Sequence, residues 1–261
     1  MRYRNSREVL GEVRNVTVSE SCGKWFISIR TLREVERPVH PSDSTVGLDW
    51  GVTRFFTLSN GRYENQLAPL KKFLPKLARL QRRLARKKKF SQNWKKAKAR
   101  ITKLHMKIAN IRKDFVNKAS GSISKNHAMV CVEDLQVQHM SASATGKGAR
   151  AKSGLNRCIL DASPFELRRQ LEYKTAWRGG LLVPVPPQNR SRTCPCCEHV
   201  SKDNRKSQSE FVCVACSFSE NADLVGAINI KRLGIASIAC SSASGEVSPS
   251  CQEPAEGILA A

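Results

Sequence analysis

Two closely spaced cysteine pairs constrain the fold of this chain more than any other feature. Two residues separate Cys194 from Cys197 and Cys213 from Cys216, and fifteen residues separate the two pairs. This is the zinc-ribbon pattern, because each tight turn presents two thiolates and four thiolates complete a tetrahedral zinc shell. The expected zinc is structural and folds an otherwise polar loop. The alternative is a set of reduced, unligated thiols. Cys196, between Cys194 and Cys197, is a surplus thiol that could compete for a ligand position.

The net charge of the chain is strongly positive, and most of it lies in one segment. The formal charge is +23, and residues 71–118 contain 19 Lys/Arg and one acid, Asp114. Such a charge argues against most ordinary metabolic enzymes. A polyanionic partner is the natural counterweight, because neutralising phosphates releases counterions. A solvated basic surface without a partner is the alternative.

Apolar residues in and beside this basic segment recur in steps of three and four, which predicts two helices. The first stripe comprises Leu70, Phe73, Leu77, Leu80 and Leu84. The second comprises Trp94, Ala97, Ile101, Leu104, Ile108, Ile111 and Phe115. A short polar turn at residues 90–93 separates them, so the pattern predicts an antiparallel hairpin that is apolar inside and basic outside.

The remaining pattern predicts strands and one further helix. Strands are expected at residues 13–18, 25–29, 45–50, 54–58, 129–132 and 181–185, with the prolines of the last one suggesting a sheet edge. Ser163 and Pro164 are expected to start a helix over residues 163–174. A mobile loop is expected at residues 141–153.

Three acids stand in separate parts of the sequence. Asp49 lies in an apolar strand, Glu133 ends another, and Asp223 follows the second cysteine pair and opens a helix-like run. Carboxylates gathered from distant segments suit two hard divalent ions, which can activate water and stabilise the leaving oxygen of a phosphodiester. Taken singly, an acid at a strand end is more often a cap or an ion-pair partner.

The order and wording of these segments resemble the TnpB/OrfB transposases of bacterial insertion sequences and their relatives, the type V CRISPR effector nucleases. Residues 46–52 (ValGlyLeuAspTrpGlyVal), 132–135 (ValGluAspLeu) and 221–224 (AsnAlaAspLeu) are similar to the three RuvC motifs. Residues 91–96, 112–115 and 173–180 are similar to further family signatures, and the cysteine pairs match the family's zinc ribbon. The resemblance runs from about Arg4 to Leu233.

The resemblance implies an α/β fold with an RNase H-like (RuvC) mixed sheet, into which a basic helical hairpin and a zinc ribbon are inserted. It implies a Mg²⁺-dependent nuclease site for two ions at Asp49, Glu133 and Asp223, with DNA and a guide RNA as partners. The residues then expected to contact nucleic acid are Arg82, Arg83, Arg86, Lys87, Lys88, Lys89, Lys95, Lys96 and Arg100.

The same resemblance implies a domain order. Residues 1–40 are expected to be a remnant of a wedge-type β domain, 41–66 the first RuvC-like part, 67–120 the hairpin, 121–188 the second RuvC-like part, 189–218 the zinc ribbon, 219–234 the third RuvC-like part and 235–261 a disordered tail. The chain begins where the family's wedge domain is expected to be under way, so it is expected to be N-terminally short.

Several residues depart from the family pattern near the motifs. Glu198 and Ser217 stand where glycine usually follows the second cysteine of each pair. Arg190 stands in place of a threonine, and we expect it to be exposed. Val225 and Gly226 replace the usual asparagine and alanine after the third acid.

The implied function is that of a transposon-encoded, RNA-guided, metal-dependent DNA endonuclease acting in transposition and recombination. One alternative is a non-cleaving DNA- or RNA-binding protein or a truncated, inactive remnant. A second is a strand-transferring transposase. No apolar stretch approaches the roughly 20 residues of a membrane span, and the start lacks the apolar core of a signal peptide. A cytoplasmic protein without a membrane partner is therefore expected.

Overall fold

The chain divides into two compact units in the computed structural model, which describes residues 8–36 and 38–243. One unit contains the described residues up to 36 together with Leu77–Met106. The other contains Pro38–Lys76 and the described residues from Lys107 onward.

The described residues form nine strands and six α-helices. The strands are β1 (Glu12–Ser21), β2 (Lys24–Leu32), β3 (Thr45–Trp50), β4 (Arg54–Leu58), β5 (Tyr63–Asn65), β6 (Met129–Glu133), β7 (Leu181–Val185), β8 (Glu210–Val212) and β9 (Ser219–Asn221). The helices are α1 (Pro69–Ala85), α2 (Gln92–Asn126), α3 (Val137–Met140), α4 (Ala149–Ala162), α5 (Pro164–Ala176) and α6 (Ala222–Ala243).

The first unit contains an antiparallel pair, β1 and β2, and the facing ends of α1 and α2. The two helices predicted from the apolar steps are present as α1 and α2. Leu77 and Leu104, one from each predicted stripe, are buried, whereas the basic residues between them along the chain are exposed. The amphipathic pattern therefore separates apolar from charged side chains as expected.

The second unit is a mixed α/β structure built on a five-stranded sheet. The strand order is β5-β4-β3-β6-β7, in which β3 and β6, and β6 and β7, pair in parallel, whereas β4 pairs antiparallel with both β3 and β5. The predicted strands in this unit are confirmed, and β7, which contains Pro184, lies at the sheet edge, where a residue without an N–H is tolerated.

Alternation along the strands sends side chains to two helical layers. On one face, Leu48 of β3 and Val132 of β6 belong to a core shared with Val116 of α2 and Leu171 of α5. On the opposite face, Ile230 of α6 packs with apolar side chains of β6 and β7. The sheet is thus covered on both sides, as its apolar parallel strands require.

A buried lysine holds α5 against α2. The ammonium of Lys174 donates to the backbone and side-chain oxygens of Asn117, to Ser120 Oγ at 2.8 Å and to Gln170 Oε1 at 3.0 Å. Burial lowers the pKa of Lys174 to about 8. The polar network satisfies a cation that would otherwise be costly to bury.

A buried aspartate fixes the start of α1. Asp161 of α4 accepts a hydrogen bond from the backbone N–H of Leu70 at 2.9 Å and lies 2.6 Å from the guanidinium of Arg112 on α2. Three helices are therefore joined at one carboxylate, which also favours the N-terminus of α1 because it is negative.

Three expectations are wrong. Residues 235–243 continue α6 instead of beginning a disordered tail, because Ile, Ala and Ser there provide no helix breaker; residues 244–261 lie outside the described part. Residues 149–153 are helical within α4. Ser163 makes no side-chain cap to α5, because its left-handed backbone joins α4 to α5 and its hydroxyl donates to Leu160 O at 3.3 Å.

Candidate active site and four-cysteine cluster

Two of the predicted acids lie at the ends of adjacent strands. Leu48 of β3 pairs with Val132 of β6 in a parallel register, so Asp49 and Glu133 are the next positions on the two strands. Their side chains leave the same face of the sheet, because residues in register on neighbouring strands share a face. The register therefore brings together carboxylates that are far apart in sequence.

The third acid comes from the helix that covers this face. Asn221 caps the N-terminus of α6, since its Oδ1 accepts from the backbone N–H groups of Asp223 at 3.1 Å and Leu224 at 3.4 Å. Asp223 consequently lies in the first turn, where the helix dipole favours a negative charge.

Close packing sets the distance of α6 from the acids. A Cβ placed on Gly226 would lie 3.0 Å from Oδ2 of Asp49, so this helix position borders the carboxylate directly. Two residues before Asp49 and on the same face of β3, a Cβ on Gly47 would lie 2.1 Å from the backbone oxygen of Ala227. The two glycines let the helix backbone approach the strand that carries Asp49.

The acids perturb one another electrostatically. Burial, followed by the negative charges of Glu133 and Asp223, raises the pKa of Asp49 well above its usual range, and Arg205 and Arg190 lower it only in part. Burial also raises the pKa of Glu133, against the opposing effect of Arg190. The cluster therefore favours a cation that would stabilise its ionised form.

Arg190 is a member of this cluster, and its predicted exposure is wrong. Its side chain is 2% exposed, and Nη1 lies 3.2 Å from Oε1 of Glu133. The side-chain amide of Asn229 on α6 donates to the Arg190 backbone oxygen at 2.7 Å and to that of Thr193 at 2.8 Å. The segment before the first cysteine is thereby tied to the helix that carries Asp223.

Several buried polar atoms near the acids lack a hydrogen-bond partner in the described part of the chain. They include Nε and Nη2 of Arg190 and the hydroxyl of Thr57. Thr57 is the antiparallel register partner of Asp49, so the two side chains are neighbours on one face. The buried carboxylates suit hydrated cations, and the unsatisfied donors of Arg190 beside them suit an anionic group.

The four predicted zinc ligands come together in space. Sγ of Cys194 lies 3.6 Å from that of Cys216, and Sγ of Cys197 lies 3.6 Å from that of Cys213. Tetrahedral zinc with Zn–S bonds of about 2.3 Å requires S···S distances of about 3.8 Å. The thiols can therefore hold a zinc ion.

The ligand atoms of these four cysteines all lie within 4.8 Å of one another. They are the one group of three or more potential metal ligands in the described residues with this spacing, and the oxygens of the three acids do not all approach so closely. Wider spacing is compatible with two metal ions, which in such sites lie about 3.5 to 4 Å apart.

The two cysteine turns have matching geometry. The backbone N–H of Glu198 donates to Cys194 O at 3.0 Å, and that of Ser217 donates to Cys213 O at 2.9 Å. Glu198 and Ser217 have φ values of 61° and 59°, in the left-handed region. Glycine adopts this region without steric cost, which explains why the family usually has glycine at these two positions.

Hydrogen bonds and burial within the cluster shift the pKa values of the thiols. Burial opposes ionisation of Cys213, but backbone hydrogen bonds from Cys216 and Ala215 lower its pKa to about 6. A backbone hydrogen bond from Phe218 lowers the pKa of Cys216, but its hydrogen bond with Cys197 and its burial raise it, to about 12 overall. Full ionisation of such a cluster requires a compensating cation.

A buried asparagine connects the two turns. The Asn204 amide donates to the backbone oxygens of Arg192 at 2.8 Å and His199 at 3.1 Å, and its oxygen accepts from Val214 N at 3.0 Å. We did not predict this role for Asn204, nor the ion pair of Arg190, because both depend on contacts between distant segments. Asn221 gave a local signal, since it precedes a helix-like run.

All nine residues predicted to contact nucleic acid are exposed. They lie in the last turn of α1, in the connecting turn and in the first turns of α2. Five of them line a cavity of about 480 Å³ in the first unit: Arg83, Arg86, Lys87, Lys96 and Arg100. The remaining lining residues are Leu80, Asn93 and Ala97, so the cavity wall has no acid.

Comparison with known proteins identifies the family. The OrfB_IS605 family model, described as "Probable transposase", matches residues 28–144, and the model "Cas12f1-like, TNB domain" matches residues 165–230. Over the whole chain, 53% of residues are identical to an Escherichia coli (strain K12) protein named "Putative RNA-guided DNA endonuclease InsQ". The chain belongs to the TnpB/OrfB family.

More distant relatives share this relationship. A Streptomyces pristinaespiralis protein named "Putative RNA-guided DNA endonuclease" is 34% identical over 88% of the chain. The fold is similar to that in the "Cryo-EM structure of the Cas12f1-sgRNA-target DNA complex", with a TM-score of 0.50, 21% identity and coverage of 83% of this chain and 55% of that one.

The chain spans only part of the length of its relatives. It covers 66% of InsQ and 55% of the Streptomyces pristinaespiralis protein. None of the helices in the described residues is both long and apolar enough to cross a membrane.

Proposed function

We propose that this chain is an RNA-guided, Mg²⁺-dependent DNA endonuclease with an RNase H-like (RuvC) site at Asp49, Glu133 and Asp223. The observation that carries the proposal is the register of β3 and β6, which aligns Asp49 with Glu133 beneath α6, the helix whose first turn contains Asp223. Family membership supports it, because the relatives' names describe RNA-guided DNA endonucleases.

The side chains would divide the work at this site. Asp49, the central carboxylate, would hold the metal ions together with Glu133 and Asp223. When bound, the ions supply an activated water and stabilise the leaving oxygen of the phosphodiester. Arg190 holds Glu133 in place, and its Nε and Nη2, which have no hydrogen-bond partner among the described residues, are suited to a phosphate oxygen.

The four-cysteine cluster would hold zinc as a structural zinc ribbon. It follows directly on residues 190–193, which are bonded to Asn229 of α6. A folded cluster would therefore support the position of Arg190 and of the helix that carries Asp223. It would take no part in the chemistry, since no open ligand position is implied by four thiolates.

Guide RNA and target DNA are the proposed partners, in the cytoplasm. The exposed cations of α1 and α2 suit the sugar-phosphate backbone of either, and they would form the outer face of a basic helical hairpin. Sequence recognition would come from base pairing with the guide, as in other RNA-guided effectors. Action on DNA would serve transposition and recombination of the encoding element.

The test begins with RNA that copurifies with the full chain. That RNA is sequenced, and DNA complementary to it is offered with Mg²⁺, with chelator, or as a scrambled sequence. We expect cleavage only of the complementary DNA, and only when Mg²⁺ is present. Cleavage that is equal in chelator, or equal on scrambled DNA, would contradict metal dependence or guidance respectively.

A non-cleaving nucleic-acid-binding protein is the second candidate function. The ion pair between Arg190 and Glu133 favours it, because a cation of the chain then occupies one of the proposed metal ligands. RNA and DNA binding without any Mg²⁺-dependent cleavage would support this candidate over the first.

A further inference from the structure

The turn between α1 and α2 exposes one aromatic ring among cations. Phe90 is 75% exposed and has a φ of 66°, a left-handed conformation that is unfavourable for a bulky residue. Within residues 77–106, all of them described, no other large hydrophobic side chain is exposed. The ring is therefore a single aromatic contact point without a surrounding apolar patch, which argues against an apolar protein surface or a membrane as its partner.

Local contacts hold the ring in a defined place. Ser91 Oγ accepts from the backbone N–H of Trp94 at 3.2 Å and donates to Lys88 O at 2.8 Å, which caps α2 and closes the turn. The centroid of the Phe90 ring lies 5.5 Å from that of Trp94, at a tilt of 48°. Lys98 Nζ lies 5.1 Å from the Trp94 ring centroid on the same helix.

The same turn contributes to the basic cavity. Arg86 and Lys87 line it together with Arg83, Lys96 and Arg100. Residues 77–106 contain twelve Lys/Arg and no acid. A phosphate backbone is the polyanion that such a surface fits, because each neutralised phosphate releases counterions.

We propose that Phe90 stacks on an unpaired base of a nucleic-acid strand whose phosphates contact this basic cavity. The inference rests on the proposed function and adds a base-binding position to it. An unpaired base has a free π-face, whereas a base within a duplex is covered by its neighbours, so the ring selects single-stranded segments. RNA and DNA share this chemistry, and the guide or the target strand can supply it.

The test measures binding of the full chain to fluorescent probes by anisotropy. The probes are a long, fully paired duplex and the same duplex with a single-stranded extension, each made as RNA and as DNA. F90G is the main variant, because glycine accepts the left-handed backbone, so the turn is kept. F90W restores a ring, and F165A removes an exposed phenylalanine that lies outside the basic segment (66% exposed).

We expect F90G to bind the extended probe about tenfold more weakly and the duplex unchanged. F90W restores binding and F165A leaves it unaltered, and the RNA and DNA arms show which strand is stacked. Equal binding of the extended probe by wild type and F90G overturns the inference, as does equal weakening on both probes. R86A should weaken binding to both probes. If R86A weakens binding but F90G does not, the stacking inference is rejected while the basic binding surface is supported. Absence of binding by the wild type rejects the proposed function as well.

Discussion

Arg190 and Glu133 form an ion pair in the interior of the second unit, with 3.2 Å between Nη1 and Oε1. The arginine stands just before the first cysteine pair, and the glutamate ends strand β6. Glu133 is also the proposed ligand of a metal ion. The pair therefore connects the folding of the cysteine region with the charge state of the proposed active site.

Replacing Arg190 by threonine should have opposite effects on stability and metal binding. Without metal, R190T leaves Glu133 buried and unpaired, which should lower the free energy of unfolding by about 3 kcal/mol. Loss of the positive guanidinium beside the carboxylate should raise Mn²⁺ affinity about tenfold, because the two cations no longer repel each other. Urea denaturation in chelator and calorimetric Mn²⁺ titration measure the two effects. R192T, at an exposed arginine nearby, is the control, and unchanged stability and affinity in R190T would contradict the role given to the pair.

Gly47 should tolerate no side chain. A Cβ there would lie 2.1 Å from Ala227 O and 2.6 Å from Lys231 N, both backbone atoms of α6 that cannot move independently. G47A should therefore lower the free energy of unfolding by about 3 kcal/mol. G154A is the matched control, because its Cβ meets nothing within 4 Å and alanine favours the helix. Similar unfolding midpoints for the two variants would show that α6 does not pack so closely on β3.

Local signals were sufficient to predict much of the second unit. Short local patterns predict the strands that carry Asp49 and Glu133, and they also predict the cysteine pairs, without any knowledge of tertiary contacts. Gly47 belongs to the β3 segment, and the structure shows why a glycine stands there: the backbone of α6 approaches it closely.

Long-range contacts account for what the sequence did not predict. Arg190 resembles any surface arginine until the sheet brings Glu133, 57 residues away, against it. The role of Asn204 depends on two turns meeting in space. Residues 235–243 lack a clear period, yet they are helical because nothing in them breaks the helix that begins at Ala222.

Glycine at Glu198 and Ser217 should stabilise the cysteine region. Both residues have left-handed backbones, and glycine relieves a cost of about 1 kcal/mol at each. E198G and S217G should therefore release zinc more slowly to a competing chelator and unfold at higher urea. E210G, in the extended strand β8, should be destabilised instead, because glycine there only adds unfolded-state entropy. Faster zinc release from both turn variants would contradict the claim that the left-handed backbones of Glu198 and Ser217 are strained.

Lys174 should make stability depend on alkaline pH. Burial lowers its pKa from 10.5 to about 8, so between these values the unfolded chain binds more protons than the folded chain. Stability relative to K174M should rise across this window, by about 3 kcal/mol in all. Denaturation of wild type, K174M and the exposed-lysine control K118M between pH 7 and pH 11 measures it. A constant difference between wild type and K174M would show that the buried ammonium carries no such cost.

The role of the three acids is tested most directly by wild-type, D49A and D134A chains, each purified with its RNA and assayed for Mg²⁺-dependent cleavage and for nucleic-acid binding. Asp134 adjoins Glu133 in sequence but pairs with Arg168, so it is the matched control. We expect D49A to lose cleavage and keep binding, while D134A keeps both. Cleavage by D49A at the wild-type rate, or equal loss of cleavage and binding, would contradict a nuclease site centred on Asp49.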